Sequence, residues 1–322
     1  MAGGDAMTKE RAMVSWVEEY LSYRRKLGFQ LKTEGPQLLA FAKYADKEDA
    51  HLTTELALRW ARLPVNASPL YWARRLEVVR CFARYLAVFD PLTEIPLKGI
   101  LGPAHIRTAP HIYSSSEIEM LLKGCIELKS ASGLRCHTYA TLFGLLACTG
   151  LRISEALSLT DSDVDLEFGV LTILQTKFHK SRLVPLHPST IKALVEYAQL
   201  RGCLCPARLS DAFFISEKGN YLPYSAVNYS FRILIQNIGL NSRGVKSRWR
   251  IYDLRHTFAT RRLAVWQEQQ KDVSALLPTL STYMGHVKVA DTYWYLSAIP
   301  ELFSVTAEAF ERYACSDQGG PK

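Results

Sequence analysis

The sequence predicts a mainly α-helical protein with a small antiparallel β-sheet, organised in two domains. Apolar residues recur at helical spacing through 10–90, where the alternation typical of strands is scarce. Proline and glycine then interrupt regular structure over 91–112, which predicts a linker. Two β-rich runs in an otherwise helical second half flank a short polar turn and predict a hairpin. The predicted domains are 1–107 and 108–322.

In the first domain, the periodicity predicts a small helical bundle. The last helix shows the pattern well, since its apolar residues Leu70, Leu76, Val79, Phe82 and Leu86 stand at mixed spacings of three and four. The predicted helices are about 9–27, 34–46, 53–62 and 68–88.

The second domain opens with a helix for which two capping boxes are available, Ser114 with Glu117 and Ser116 with Glu119. The predicted helices are 114–128, 135–148, 153–158, 188–201, 224–237, 253–268, 272–284, 288–297 and 300–313, and the predicted strands are 168–174, 181–186 and 211–216.

The composition is that of a globular protein with a polyanionic partner. Of 322 residues, 48% are hydrophobic, and 39 basic against 31 acidic residues give a net charge of +8, which favours DNA or RNA as a partner. Seven scattered cysteines lack metal-site or redox spacing and predict free thiols in a reducing compartment. The chain carries no signal-like start or membrane-spanning stretch, so we expect a cytoplasmic protein without a membrane partner.

Arg152 is the first candidate for a phosphate ligand. Gly150 can end the preceding helix, which would leave Arg152 at the start of the next one, where free N–H groups and the helix dipole favour an anion. Glu155 lies on the same face and could pair with Arg152 or hold a neighbouring group. A plain surface salt bridge is the alternative.

A basic run over 241–263 is the second candidate. It holds seven arginines and lysines against one acidic residue, Asp253, and could lie along a phosphate backbone with Trp249 and Tyr252 packed on sugars. A solvated basic face is the alternative. Tyr252 and Arg255 stand three residues apart, so both can point to one spot.

His286 and Tyr295 form the third candidate site. Nine residues on one continuous helix would put them on opposite faces, and a turn at Gly285 resolves this. Tyr283 and Tyr293 are rivals of Tyr295, and a core role for Tyr295 is the alternative. Two arginines can fork one phosphate, a histidine can donate to it, and a tyrosine can attack it, so this set predicts cleavage of a phosphodiester with no metal or other cofactor.

Three ordered segments of this chain resemble the motif boxes of the tyrosine recombinases, the phage integrase family. They span 149–295 and are Thr149-Gly150-Leu151-Arg152 with Glu155-Ala156-Leu157, Asp253-Leu254-Arg255-His256-Thr257-Phe258-Ala259-Thr260, and Met284-Gly285-His286 with Tyr295 nine residues later. The stretch from Trp72 to Leu86 is similar to the DNA-gripping helix of that family's core-binding domain. The resemblance therefore implies a DNA-clamping domain over 1–107 and a catalytic domain over 108–322.

The resemblance implies a role for each residue of the site. Arg152 and Arg255 would clamp the scissile phosphate of double-stranded DNA, His286 would donate to it, and Tyr295 would attack it to give a 3′-phosphotyrosyl enzyme and a free 5′-hydroxyl. Lys177 in the hairpin turn would protonate the leaving oxygen, with Lys180 as its rival. Glu155 and His256 would support these groups. The predicted DNA-binding residues are Arg74, Arg75, Arg80, Arg84, Lys180, Arg182, Arg243, Lys246, Arg248 and Arg250.

One residue departs from the family pattern. Tyr252 stands where the family most often has histidine, three residues before the second arginine. A phenol can donate a hydrogen bond to phosphate but does not readily cycle protons near neutral pH. We therefore expect Tyr252 to orient the phosphate, and the sequence leaves the general base open.

The resemblance also implies an assembly. A monomer in solution would form a homo-tetramer on two recombination sites, with accessory DNA-bending or element-encoded proteins as further partners. Helix 300–313 has an apolar stripe that could pass to a neighbouring protomer or pack on its own domain. The functions implied are integration, excision or transposition of a mobile element. Relaxation of DNA by a type IB topoisomerase and noncatalytic DNA binding on the same fold are the alternatives.

Overall fold

The computed structural model describes residues 11–106, 109–174, 181–240, 249–286, 288–289, 291–292 and 295. The chain divides into two compact units, Met1–Thr108 and Ala109–Lys322. The prediction of a mainly helical fold with a small antiparallel sheet is confirmed. Among the described helices, none combines the length and the apolar character that crossing a bilayer requires.

The first unit is a helical bundle, and each described helix lies where the periodicity predicts one. Thr53 and Ser68 cap two of these helices, since their side chains accept hydrogen bonds from Leu56 N and Tyr71 N. Val17, Phe41, Trp60 and Phe82 belong to a core to which all of these helices contribute. The helices are α1 (Met13–Lys26), α2 (Glu34–Lys47), α3 (Thr54–Arg62) and α4 (Pro69–Leu86).

The second unit packs several of its helices around α6 (Leu134–Thr149). Phe143 on this helix lies in a T-shaped contact with Phe231 of α9 (Tyr224–Asn237), at a centroid distance of 5.5 Å, and both rings are buried. The capping box predicted at the start of the unit is formed by Ser114 and Glu117. The helices are α5 (Ser115–Ile126), α6 (Leu134–Thr149), α7 (Ile153–Leu157), α8 (Pro188–Leu204), α9 (Tyr224–Asn237), α10 (Tyr252–Glu268) and α11 (Val273–Met284).

The described strands of the second unit form one antiparallel sheet in the order β1 (Val164–Asp165), β2 (Val170–Ile173), β3 (Arg182–Pro185). The predicted pairing of β2 with β3 is confirmed, and Ile173 lies opposite Arg182. Val184 is buried while Leu183 is exposed, so Arg182 starts the strand on the face that points to the core.

The predicted strand 211–216 is wrong. This segment makes only the isolated bridges Thr160↔Ala212 and Ile215↔Tyr221 among the described residues. Its apolar residues are buried because the rings of Phe213 and Phe214 pack on Tyr197 of α8, and not because a strand pairs with a neighbour along its length. Of the predicted helix 288–297, residues 291, 292 and 295 are helical, and helix 300–313 lies outside the described residues.

Gly150 joins α6 to α7 in a conformation that only glycine adopts at little cost. Its φ is +63°, and a Cβ atom built on it would lie 2.5 Å from Cδ1 of the buried Phe258. Gly239 has a similar φ of +71°, but a Cβ atom there would meet no described atom within 4 Å. A comparison of substitutions at Gly150 and Gly239 therefore distinguishes the effect of backbone strain from that of steric overlap.

We expect Gly150→Ala to lower the thermal unfolding midpoint of the protein clearly more than Gly239→Ala does. Both substitutions carry the left-handed backbone strain of about 1–2 kcal/mol, and only the first also displaces a packed ring. Thermal unfolding followed by circular dichroism measures both variants. Equal midpoints would contradict the close approach of Gly150 to Phe258.

Candidate active site

Three arginines converge on the C-terminal end of α11. Arg182 Nε donates to the carbonyl of Tyr283 at 2.8 Å, Arg255 Nη2 to that of Met284 at 2.6 Å, and Arg152 Nη2 to that of Gly285 at 2.9 Å. The last carbonyls of a helix lack partners within it and carry the negative end of its dipole, so guanidinium groups are well suited to bind them. This contact joins three elements that are distant in sequence.

The main chain at the end of α11 is shaped for this contact. Gly285 takes a left-handed conformation with φ +69°, and His286 N donates to Ser281 O at 2.9 Å, as in a Schellman motif. His286 therefore leaves the helix at a defined corner. The turn predicted at Gly285 is confirmed.

Glu155 connects two of the arginines. Its carboxylate accepts from Arg152 Nη1 at 2.7 Å and from Arg152 N at 3.0 Å, which confirms the predicted pair. It also accepts from Arg182 Nη1 at 3.1 Å and Arg182 Nη2 at 2.8 Å. Arg152 lies immediately before α7, as predicted, because Gly150 ends α6 two residues earlier.

The charges around Glu155 determine its protonation state. Burial alone would raise the pKa of this carboxyl, but the hydrogen bonds and charge of Arg182, followed by the hydrogen bonds of Arg152, outweigh burial and lower the pKa to about 2. Glu155 is therefore a carboxylate at neutral pH, enclosed by guanidinium groups.

Arg255 is buried in the middle of the site, with 1% of its surface exposed. Its Nη1 donates to the carbonyl of Gly150 at 2.6 Å, so it links the turn before Arg152 to the end of α11. Its Nε has no hydrogen-bond partner among the described residues. The two arginines predicted to share one phosphate thus lie in one place.

Four rings form a row beside these arginines. Tyr252 contacts His256 at a centroid distance of 5.0 Å, His256 contacts Tyr295 at 5.2 Å, and Tyr295 stacks on His286 at 5.8 Å. Tyr295 is 2% exposed, whereas Tyr252 is 43% exposed at the start of α10. The structure therefore brings Tyr252, His256, His286 and Tyr295 together, as the resemblance implies.

Burial controls the protonation of His256, His286 and Tyr295. Desolvation, with the charges of Arg255 and Arg152, lowers the pKa of His286 to about 4. Desolvation, with Arg250 and Arg255, lowers the pKa of His256 to about 4. Desolvation raises the pKa of Tyr295 although Arg255 opposes it. At neutral pH both imidazoles are uncharged and the Tyr295 phenol is protonated.

Trp249 and Arg250 of the basic run lie among the described residues before α10, and the protein itself engages both. Arg250 binds the buried Asp253 through Nε and Nη2, with a shortest distance of 2.8 Å. The prediction that Trp249 packs on sugars is not supported, since its ring lies 3.7 Å from that of His111 and 5.4 Å from that of Tyr113. Arg243, Lys246 and Arg248 lie outside the described residues.

The four arginines of α4 predicted to bind DNA differ in their exposure and in the protein contacts that their guanidinium groups make. Arg75 donates to Trp60 O and lies 3.7 Å above the Trp60 ring, and Arg80 donates to Pro96 O and pairs with Glu77. Arg74 and Arg84 are exposed, although Arg74 Nε also donates to Ala104 O at 3.1 Å. The DNA-binding role of all four stays a prediction.

Two features of the site differ from what the sequence predicts or were not predicted from it. Arg182, predicted to bind DNA, turns its guanidinium inward to Glu155 and to the end of α11. The sequence did contain a signal: Arg182 stands two residues before the apolar Val184, a spacing that places both side chains on one face of a strand. Thr292, which was not predicted, lies 2.8 Å from His286 Nδ1 through its hydroxyl. Lys177, Lys180 and the rival Tyr293 lie outside the described residues.

The fold and this cluster together are those of a tyrosine recombinase. Residues 112–301 match the sequence profile of the phage integrase family. The match covers more than half of the chain, so this chain belongs to the phage integrase family and is a tyrosine recombinase enzyme.

Known relatives cover nearly the whole chain. An integrase/recombinase of Sinorhizobium fredii, y4rB, is 44% identical over 301 residues, which are 92% of this chain and 96% of that protein. Tyrosine recombinase XerC of Yersinia pestis is 29% identical over 85% of this chain and 82% of its own length. These relatives do not favour topoisomerase activity or a noncatalytic role.

Solved structures share the fold. The Tn1549 transposon integrase in complex with transposon right end DNA has a TM-score of 0.67 at 16% identity, covering 94% of this chain and 100% of that one. The XerH site-specific recombinase bound to its palindromic difH substrate has a TM-score of 0.60 at 21% identity, covering 92% and 85%. At these identities the likeness establishes the architecture of the chain alone.

The lowered histidine pKa values predict loss of stability on acidification. An unfolded histidine binds a proton near its ordinary pKa of 6.5, whereas folded His256 binds one only near 4. The contribution of neutral His256 to the free energy of unfolding is therefore complete above pH 6.5. It decreases by at most about 3 kcal/mol as the pH falls to 4. We expect the thermal midpoint of His256→Asn to fall less between pH 7 and pH 5 than that of the wild type. Parallel curves for the two proteins would contradict the buried neutral imidazole.

Proposed function

We propose that this enzyme cleaves and rejoins double-stranded DNA at specific sites, with Tyr295 as the nucleophile. The observation that carries the proposal is the position of Tyr295, stacked on His286, in contact with His256, and within the electrostatic influence of Arg255 and Arg152. A tyrosine held among two arginines and two neutral histidines has the groups that attack on a phosphodiester requires.

Arg152 and Arg255 are proposed to bind the scissile phosphate. Each uses two of the five N–H donors of a guanidinium on protein groups, so the remaining donors can bind nonbridging oxygens. The contacts to Gly150, Gly285 and Met284 hold both groups in place before DNA arrives. Fixed positive groups at the point where negative charge develops supply the stabilisation that other enzymes obtain from a metal ion.

Tyr295 needs a proton acceptor, because burial raises its pKa and keeps the phenol protonated. His256 and His286 are both neutral and adjacent, so either can take this proton. The direction of the hydrogen bond between the Thr292 hydroxyl and His286 Nδ1 corresponds to one or the other neutral tautomer of His286. If it donates to Nδ1, Nε2–H is free to donate to the phosphate; if it accepts from Nδ1–H, Nε2 is free to accept a proton.

The reaction is a pair of transesterifications. The Tyr295 oxygen bonds to phosphorus, the bond from phosphorus to the 5′ oxygen breaks, and Lys177 gives that oxygen a proton, with Lys180 as the alternative donor. A 5′-hydroxyl of the partner strand then attacks the 3′-phosphotyrosyl bond and releases Tyr295. Each step exchanges one phosphoester for another, so no ATP is consumed. Tyr252, exposed beside His256, is proposed to orient the phosphate.

The proposed substrates are recombination sites in DNA, on which the enzyme acts as a tetramer assembled from monomers, with accessory DNA-bending or element-encoded proteins. DNA complexes of the Tn1549 integrase and of XerH, which share this fold, support the choice of DNA. We assign the DNA-clamping role to the first unit, where Arg74 and Arg84 are exposed on α4. The biological outcome we propose is integration, excision or transposition of a mobile element in the cytoplasm.

We expect Tyr295→Phe to abolish covalent attachment to DNA, with a loss of at least about 10³-fold, because the nucleophilic oxygen is gone. The substrate is a pool of host DNA fragments retained by the wild-type protein in a binding selection. The assay is detergent-resistant protein–DNA adduct on gels, with and without EDTA.

The matched control is Tyr283→Phe, which removes a partly buried phenol but keeps the backbone carbonyl that binds Arg182. This variant and EDTA-treated wild type should both form adduct. Adduct in Tyr295→Phe would overturn the assignment of the nucleophile, and loss of wild-type adduct in EDTA would overturn the metal-free mechanism.

A further inference from the structure

Arg182 does not present its guanidinium to solvent. Its side chain is 11% exposed, and its three nitrogens donate to Tyr283 O at 2.8 Å and to the two oxygens of Glu155 at 3.1 and 2.8 Å. All three of these nitrogens are engaged, whereas Arg152 and Arg255 each donate from two nitrogens among the described residues, so Arg182 has the fewest N–H donors left for a DNA phosphate. The DNA contact predicted for this residue therefore has little geometric support.

The strand determines this orientation. Successive side chains of a strand point to opposite faces, and Arg182 shares its face with the buried Val184, whereas Leu183 is exposed. Because Arg182 is the first residue of β3, its contacts fix the N-terminal end of this strand.

Arg182 also fills the space beneath the turn that carries His286. A Cβ atom built on Gly285 would lie 2.6 Å from Arg182 Nη1 and 2.9 Å from Arg182 Cζ. The guanidinium thus packs against the backbone of Gly285, and Arg152 Nη2 donates to the carbonyl of the same residue. Movement of Arg182 would change the support of both Arg152 and His286.

Glu155 depends on Arg182 electrostatically. Among the groups that oppose its burial, Arg182 makes the largest contribution to lowering its pKa, ahead of Arg152. Without Arg182, the buried carboxylate would keep one guanidinium partner among the described residues, Arg152. A carboxylate that then took up a proton would no longer hold Arg152 with the same strength.

We propose that Arg182 is a positioning residue for strand cleavage: it fixes Glu155 and the end of α11 so that Arg152 and His286 keep their places, and it makes no contact with DNA. The inference rests on the proposed function. A contact through a phosphate and a contact through Glu155 differ in salt dependence, in the rate of the chemical step and in pH dependence.

The experiment compares Arg182→Met with Arg84→Met and with Arg232→Met, which replaces an exposed arginine of α9. Two readouts are taken below the thermal midpoint of each variant. The first is the salt dependence of affinity for a 30-base-pair duplex, and the second is the single-turnover rate of adduct formation at saturating selected fragments.

We expect Arg182→Met to slow adduct formation by about 100-fold, the loss typical of a small displacement of catalytic groups, while its salt slope equals that of Arg232→Met. Arg84→Met should reduce the slope by about 0.9, as loss of one phosphate contact does. On acidification, the rate of Arg182→Met should begin to decrease at a higher pH than the rate of the wild type, because the pKa of Glu155 rises when Arg182 is removed. In Glu155→Gln/Arg182→Met this shift should be absent.

A wild-type rate in Arg182→Met, or a salt slope lowered as in Arg84→Met, would overturn the inference alone. Absence of adduct with the wild-type protein would overturn the proposed function together with the inference. If Arg182→Met does not fold, Arg182→Lys decides by the same readouts, because lysine keeps the charge but does not bridge Tyr283 O and both oxygens of Glu155.

Discussion

The site depends on one interaction, the binding of three arginines to the last carbonyls of α11. Arg152, Arg182 and Arg255 come from the start of α7, from β3 and from α10, and each donates to a different one of three consecutive carbonyls. The C-terminal end of α11 thereby connects the start of α7, β3 and α10 within the second unit. His286, which follows directly, takes its position from this contact.

The same interaction explains the electrostatics of the site. Several guanidinium groups surround the carboxylate of Glu155 in a region from which water is largely excluded, so positive charge accumulates before any substrate is present. Burial and this charge keep His256 and His286 neutral, whereas the charge keeps Glu155 ionised although burial opposes it. The protein stores an unfavourable concentration of positive charge, which an anionic phosphate would relieve.

Much of this arrangement can be predicted from the sequence motifs. The turn at Gly150 and the Arg152–Glu155 pair follow from short-range rules, and the resemblance identifies Arg255, His286 and Tyr295 as one site. The role of Arg182 depends on which face of β3 meets α11, and that is set by long-range packing. Segment 211–216 looks like a strand because it is apolar, but ring packing on Tyr197 buries it without strand pairing.

Identifying the amino acid that carries the DNA shows whether this arginine cluster serves the attack of Tyr295 on a phosphodiester. The wild-type adduct would be digested with nuclease and protease, and the remaining nucleotide located by tandem mass spectrometry. We expect a nucleotide joined through its 3′-phosphate to Tyr295. Attachment to Tyr252, Tyr293 or any other residue would contradict it.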